Sequence, residues 1–503
     1  WSVMSRNLSK SKLIAFRQCP KRLWLEVHHP VLRADSSATQ AVFAAGHQVG
    51  ELAQKLYDPA GVGAVIDLRA DGITNALGST RKLTQGEGPI FEAGFCADRA
   101  LAFADVLLRD RSQGLDGWRM VEIKSSTSVK DYHRDDVAIQ SFVARQSGIP
   151  LTAVALAHID TSWTYQNEGD YRGLLTEVDL TPTAFARSNE VQGWIRDAHA
   201  VAALDNPPDV AVSSHCHEPF ECGFLGHCNH SAQEAEYPVT WLPRIQAKAL
   251  KEYIQGEQVT DLRDLPDSLL NERQLRVKRA TLTGQVFFDA EGAKADLAKW
   301  QFPAYFLDFE TVQFAVPRWV GSRPYQFLPF QLSVHVLDAQ GQLTHDGFLD
   351  LSGSNPVRPF AEALLAACGL TGPVFVYNAG FEGGRIRELA RRFEDLYAPL
   401  MALNARLVDL LPIAEERFYH PSQNGSCSIK KVLPAVADGL DYGQLAGVQD
   451  GGMAMNAFVE AIDVQTTPQR RAELREQLWA YCRLDTLAMV KLWAFFSGRE
   501  IET

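Results

Sequence analysis

The chain has 503 residues, 46% of them apolar and 22% charged, with a formal net charge of −12. That length calls for more than one core, and the balance is globular, which excludes a disordered chain or a small disulfide scaffold. The acidic excess excludes a protein that coats nucleic acid through a general positive field, so phosphate contacts would come from local basic clusters.

The opening residues, Trp1-Ser-Val-Met4-Ser-Arg6, lack the apolar core of a secretory signal, and no apolar run reaches the roughly 18–20 residues that cross a bilayer. A cytoplasmic location with no membrane partner is expected. Apolar residues at helical spacing then predict helices over 13–27 and 40–56. Strands are predicted over 101–108 and 118–123, a helix over 135–146, and a buried strand over 151–158. Asn206-Pro-Pro-Asp209 breaks the chain before a Cys/His-rich stretch at 215–230. Residues 232–300 read as a charged helical connector. Within it, 262–283 suggests two short helices around a turn, with Arg273, Arg276, Lys278 and Arg279 on a solvated face or against a nucleic-acid backbone. From Ala304 a second α/β pattern begins, with strands at 305–309, 327–337 and 374–377. Helices are predicted at 360–367, after 377, and at 468–496. The class is α/β, with domains expected at 1–231 and 301–503.

The N-terminal half carries one informative strand, Trp118-Arg-Met-Val-Glu-Ile-Lys-Ser125. Glu122 and Lys124, two apart, leave the same face of it, and Asp105 on the preceding strand can reach the same point. Two carboxylates hold a divalent cation through oxygen, and a lysine orients attacking water or neutralises developing phosphate charge. The order Asp105, Glu122-Ile-Lys124, Gln140 resembles the PD-(D/E)XK nuclease superfamily in its RecB-like branch. The likeness extends to Phe16-Arg-Gln-Cys-Pro-Lys-Arg-Leu-Trp24 and to Cys216-His-Glu-Pro-Phe-Glu-Cys-Gly-Phe-Leu-Gly-His-Cys228. It implies a restriction-endonuclease-like core, Asp105 and Glu122 as ligands of Mg²⁺ or Mn²⁺, and Lys124 and Gln140 as catalytic partners. As in AddB-type and CRISPR-adaptation nucleases, it also implies a [4Fe–4S] cluster on Cys19, Cys216, Cys222 and Cys228 that ties the two ends of the domain together.

The late spacing, Cys-x5-Cys-x5-Cys, departs from the close pairs of structural zinc, while interleaved His215, His217, His227 and His230 keep zinc as the alternative. Cys96, Cys368, Cys427 and Cys482 read as core or surface residues. His47 and Glu51 on an early helix are candidates to complete the metal site, neither at the usual offset from Gly46. Ala144 stands where relatives of this branch often place a tyrosine after Gln140.

In the C-terminal half, Tyr305-Phe-Leu-Asp-Phe-Glu-Thr311 sets Asp308 and Glu310 on one strand face, a costly arrangement unless a cation binds there. Tyr481 and Asp485 lie one helical turn apart, and Glu382 follows a strand in Val376-Tyr-Asn-Ala-Gly-Phe-Glu382. That order resembles the DEDD exonucleases of the RNase H-like fold, in the subgroup with a tyrosine in its last motif. It implies Asp308, Glu310, Glu382 and Asp485 as ligands of two metal ions, with Tyr481 orienting the attacking water. The family's third acid is usually aspartate, so Asp409 is a substitute for Glu382. Aromatic residues nearby (Phe309, Phe314, Trp319, Tyr325, Phe327) read as core or as stacking platforms for bases. A metal-dependent nuclease with two centres is expected, with DNA before RNA as its nucleic-acid partner and no helicase, repair or defence partner legible. The alternatives are an RNA or oligonucleotide exonuclease using the C-terminal centre alone, and a nucleic-acid-binding scaffold.

Overall fold

A computed structural model describes residues 7–114, 116–231, 235–437, 439–440 and 442–501; the opening hexapeptide lies outside them. The chain forms two compact units, 1–233 with 314–326, and 234–313 with 327–503, each mixing helices with sheet.

In the first unit the strands are β1 (Leu8–Ser9), β2 (Ala64–Val65), β3 (Ile90–Ala97), β4 (Ala100–Asp110), β5 (Gly117–Lys124), β6 (Leu151–Ile159) and β7 (Leu175–Asp179). They make one sheet in the order β2-β3-β4-β5-β6-β7, with β1 beside β4. Strands β3, β4 and β5 are antiparallel in turn, and β5 pairs with β6 in parallel across the Asp131–Gln146 helix. That helix buries Val137, Ala138, Phe142 and Val143 against Ala104, Leu107 and Met120. The opposite sheet face receives Val49 and Ala53 of the Ser37–Tyr57 helix, packed on Val106, Val121 and Ala155. Residues of β5 and most of β6 thus alternate between two apolar layers, as the period of two requires, whereas the alternation breaks between Ala104 and Val106 in β4 and between Phe91 and Ala93 in β3.

The single helix expected over 13–27 is two, Lys10–Gln18 and Pro20–His28. Pro20 opens the second and drives Cys19 before it into extended backbone (φ −160°, ψ 121°), the conformation a residue preceding proline prefers. The sequence signal was Pro20 itself.

The second unit holds β8 (Phe287–Phe288), β9 (Ala304–Val312), β10 (Leu328–Leu337), β11 (Leu343–Leu349), β12 (Val374–Val376), β13 (Leu407–Asp409) and β14 (Phe418–Tyr419). Five of them form a sheet in the order β11-β10-β9-β12-β13, antiparallel from β11 to β9 and parallel from β9 to β13. The Pro468–Ser497 helix covers one face, where Met489 and Trp493 meet Phe306 and Phe375. The Val357–Ala367 helix covers the other, where the rings of Phe360 and Phe309 meet edge to face at 5.4 Å. Asp308 and Glu310 share strand parity with Phe306 and therefore face the long helix.

Two expectations on domain limits need correction. Residues 235–300 are not a separate connector: Leu250, Leu262, Leu265, Val277 and Ala280 form a cluster with Tyr419 inside the second unit. There, the two short helices expected over 262–283 are two 3₁₀ turns, Leu262–Asp264 and Asp267–Leu269, followed by one helix, Glu272–Thr283. Lys278 is buried and donates to the Leu265 carbonyl and, at 2.8 Å, to Asp267, so it lies on no solvated face. Arg273 pairs with Glu415 at 2.9 Å. Residues 314–326, between β9 and β10, belong to the first unit instead of the second. Ala315 and Val316 are buried in its core, the Tyr325 hydroxyl donates to the Ser125 carbonyl, and the Tyr171 hydroxyl donates to the Pro317 carbonyl at 3.1 Å. Among the described residues, no helix is long and apolar enough to cross a membrane.

Candidate active sites

In the first unit, β4 and β5 bring Asp105, Glu122 and Lys124 to one end of the sheet, and the Asp131–Gln146 helix sets Gln140 above them. Glu122 is 1% exposed and fully engaged. Its Oε2 accepts from the Gln140 amide at 2.6 Å, while its Oε1 accepts from Lys124 at 2.7 Å and Lys10 at 2.8 Å. Burial works against its charge, but the two ammonium groups outweigh burial and hold its carboxyl below the usual range. Asp105 accepts from the Ile123 amide at 2.6 Å; burial and then the charge of Glu122 push its carboxyl well above the usual range. A cavity of about 930 Å³ opens over Asp105, Glu122 and Lys124, and His47 lines it. Glu51 is exposed on the same helix as His47.

Three further residues belong to this constellation and were not singled out from sequence. Lys10 begins the Lys10–Gln18 helix, and Asp136 sits one helical turn before Gln140 on the same face. The spacing of Asp136 was a usable signal; Lys10, remote in sequence, had none. The third is Glu92 in β3, a left-handed residue (φ 57°) skipped between the pairs Phe91–Val106 and Ala93–Ala104. Burial and the charge of Glu122 raise its carboxyl too.

The four cysteines of the first motif, Cys19, Cys216, Cys222 and Cys228, line one small cavity with Lys21, Arg22 and His215. The chain closes it from both ends: the Gln18 side chain donates to the His215 carbonyl at 2.8 Å and the Phe220 carbonyl at 2.7 Å, and the Cys222 amide donates to the Cys216 carbonyl at 2.8 Å. Burial pushes the Cys222 and Cys228 thiols up, so thiolates there call for a cation. Among the described residues, no three of these sulfurs lie within 4.8 Å of one another. Tetrahedral zinc, with Zn–S of about 2.3 Å, would bring its sulfurs to about 3.8 Å. As they stand, these sulfurs are not gathered around a single metal ion. The His230 side chain lies outside the described residues.

In the second unit, ligand oxygens of Asp308, Glu310 and Asp485 all lie within 4.8 Å of one another. Two strand positions and one helix position converge because β9 and the Pro468–Ser497 helix pack face to face. Burial, then mutual repulsion, raises these acids: Asp308 well above the usual range, and Glu310 to about 8. Asp485 rises to about 6 through burial, held back by Tyr442 and Lys430. The Tyr442 hydroxyl donates to Asp485 Oδ1 at 2.6 Å. Lys430 donates to the Gln449 carbonyl at 2.7 Å and to the Tyr481 hydroxyl oxygen at 3.3 Å. Neither Tyr442 nor Lys430 was singled out from sequence: Lys430 lies in the short Ile429–Val436 helix and Tyr442 opens a 3₁₀ turn, and only the fold brings them to the acids.

Glu382, in the first turn of the Ala379–Arg392 helix, is 4% exposed, its Oε2 has no hydrogen-bond partner, and burial pushes its carboxyl to about 8. Asp409 is differently employed. Its Oδ1 accepts from the Asn378 amide at 2.9 Å and the Leu411 amide at 3.0 Å, and its Oδ2 from the Ala379 amide at 2.9 Å. With both oxygens holding backbone, Asp409 is a cap and Glu382 is the acid left for a ligand. Glu382→Ala is therefore expected to weaken Mn²⁺ binding, whereas Asp409→Ala should cost about 1–2 kcal/mol of stability and leave Mn²⁺ binding intact. A Mn²⁺ titration with a melting curve on each variant checks this, and the reverse pattern would exchange the two roles.

A family model described as a domain of unknown function, DUF2779, matches residues 305–428. The match takes in Asp308, Glu310, Glu382 and Asp409 and stops short of Lys430, Tyr442, Tyr481 and Asp485. No curated protein matches the sequence.

Proposed function

We propose that the chain is a divalent-metal-dependent nuclease with two centres, one RecB-like and one DEDD-like, acting on DNA strands or ends. What carries it is the acid cluster of the second unit. Ligand oxygens of Asp308, Glu310 and Asp485 crowd together, with Lys430 the cation that most offsets Glu310, while Glu382, outside that group, acts on Asp308 through its charge and has one buried oxygen without a partner. Keeping such a cluster charged is costly without a cation, and a bound divalent ion would offset that cost. The mixed sheet of the second unit fits an RNase H-like core, and β3 to β6 of the first fit a restriction-endonuclease-like core.

When bound, Mg²⁺ or Mn²⁺ would stabilise charge on the attacking and departing oxygens of the phosphodiester. The residues do the rest. Lys430 has only donors, so the Tyr481 oxygen accepts from it, and the Tyr481 O–H, which is hydrogen-bonded to Asp485, is the group that would turn to orient a water. Tyr442 fixes the Asp485 rotamer. In the first unit, Gln140 holds Glu122, and Lys124 faces the cavity as the neutralising cation. The cysteine cavity would hold a [4Fe–4S] cluster joining the Cys19 break to the 216–228 loop. Protein purified without oxygen is expected to be brown and to carry about four irons per chain. One zinc and no iron would reverse that assignment.

A second reading, cleavage by the C-terminal centre alone, is favoured by one observation: both Glu122 oxygens already carry partners, whereas the second unit's acids do not balance internally. Chelation tests the proposal as a whole. Labelled strands should be shortened with Mn²⁺ and spared with chelator, and binding without shortening would make the protein a scaffold.

A further inference from the structure

We infer that Lys10 is a second catalytic lysine of the first centre, placed to contact a phosphate oxygen beside Lys124, with Asp136 as the positioning residue for both ammonium groups. The inference rests on reading that centre as a nuclease. Its basis is a closed ring of four charges. Lys10 Nζ lies 2.8 Å from Glu122 Oε1 and 3.0 Å from Asp136 Oδ1; Lys124 Nζ lies 2.7 Å from the same Glu122 oxygen and 2.5 Å from Asp136 Oδ2. Asp136 thus has one lysine within ion-pair distance of each oxygen: Lys124 is hydrogen-bonded to Oδ2, while Oδ1 attracts Lys10 by charge without a hydrogen bond.

The exposure pattern separates this ring from a merely structural network. The Glu122 and Asp136 side chains are 2% and 8% exposed, while those of Lys10 and Lys124 are 21% and 23% exposed. Both lysines line the cavity over Asp105 and Glu122, and both line a neighbouring cavity of about 650 Å³ reached past Tyr132 and Phe220. The acids are sunk and the ammonium groups are presented, which suits a diester with two non-bridging oxygens. Lys10 is held in place from behind: Leu8 and Ser9 pair in parallel with Ala100 and Leu101, and Ser9 caps the helix that Lys10 begins. While a metal ion and a phosphate occupy the centre, Lys10 would release Glu122, keep Asp136 and turn its free donor to the phosphate. Lysine is a compact point charge with rotatable donors, suited to that exchange.

The test uses the full-length chain with Asp308→Asn to silence the second centre, a labelled single DNA strand, and Mn²⁺ followed by electron paramagnetic resonance. Lys10→Met is expected to lower kcat about 100-fold with KM within about threefold. It should also bind Mn²⁺ at least as tightly as the parent, because Glu122 Oε1 is no longer shared with that ammonium. Cleavage and metal affinity moving in opposite directions is the signature, since a structural role would lower both together. Should Lys10→Met fail to fold, Lys10→Arg decides: it keeps the ion pairs but carries a wide planar head, and kcat should fall about tenfold. An unchanged kcat in the folded Lys10 variant, while Lys124→Ala abolishes cleavage, overturns the Lys10 assignment alone. Cleavage untouched by Lys124→Ala overturns the nuclease reading of the first centre and the role of Lys10 with it.

Discussion

Asp308→Asn is expected to lower the rate of the C-terminal centre by roughly three orders of magnitude or more, because the carboxylate would hold the cations that stabilise both the attacking and the departing oxygen. The substitution keeps the shape of the side chain and removes one of three acids whose oxygens lie within 4.8 Å. It also removes a buried acid whose carboxyl is held well above the usual range by burial and by the charges of Asp485 and Glu310, so the variant should melt no lower than the parent without metal. Loss of rate without loss of stability separates a ligand from a core residue. Tyr481→Phe should cost less, about 10- to 100-fold, since it removes one orienting hydroxyl and no metal ligand. Rates measured in an Asp105→Ala background isolate this centre, and an Asp308→Asn rate within threefold of the parent would remove Asp308 from the chemistry.

Metal should stabilise the protein far more at pH 8 than at pH 5. Glu310 and Glu382 are raised to about 8, Asp485 to about 6, and Asp308 well above its usual range, so the folded state holds protons that the unfolded chain has released. With more protons bound in the folded state, stability falls as pH rises from the ordinary carboxylate range, about 4, towards about 8. Metal-free protein should accordingly lose melting temperature across that window, and Asp308→Asn should flatten the loss. Mn²⁺ must displace those protons to bind, so its stabilising effect grows over the same interval. Melting curves at pH 5 and pH 8, with and without Mn²⁺, check the sign. Equal Mn²⁺ increments at both pH values would mean that these acids are not its site.

Much of this was legible because strand acids announce themselves by parity. Glu122 with Lys124, and Asp308 with Glu310, stand two apart in apolar runs, and the fold places each pair as the period of two dictates. Pro20 marked the break at Cys19, although apolar spacing alone ran a helix through it. What stayed hidden depends on long-range packing. Lys10 meets Glu122 across 112 residues, and nothing in Leu-Ser-Lys-Ser-Lys signals it. The 314–326 segment joins the first unit through Ala315, Val316 and Tyr325, which read equally well as core of the domain around them in sequence. On paper Glu382 was the third acid and Asp409 its substitute. They separate only when Asp409 is seen to spend both oxygens on backbone amides, a role that its place after a short strand allows but does not demand.

The most direct test of two independent metal-dependent centres is a four-way comparison of the parent, Asp105→Ala, Asp308→Asn and the double variant. Each is given labelled single- and double-stranded DNA and RNA with Mn²⁺, and product lengths are followed in time. The expected result is that each single variant loses a different part of the parent's activity and the double variant cleaves nothing. If the double variant still shortened any strand, or if either single variant abolished every cleavage, the two-centre account would be contradicted.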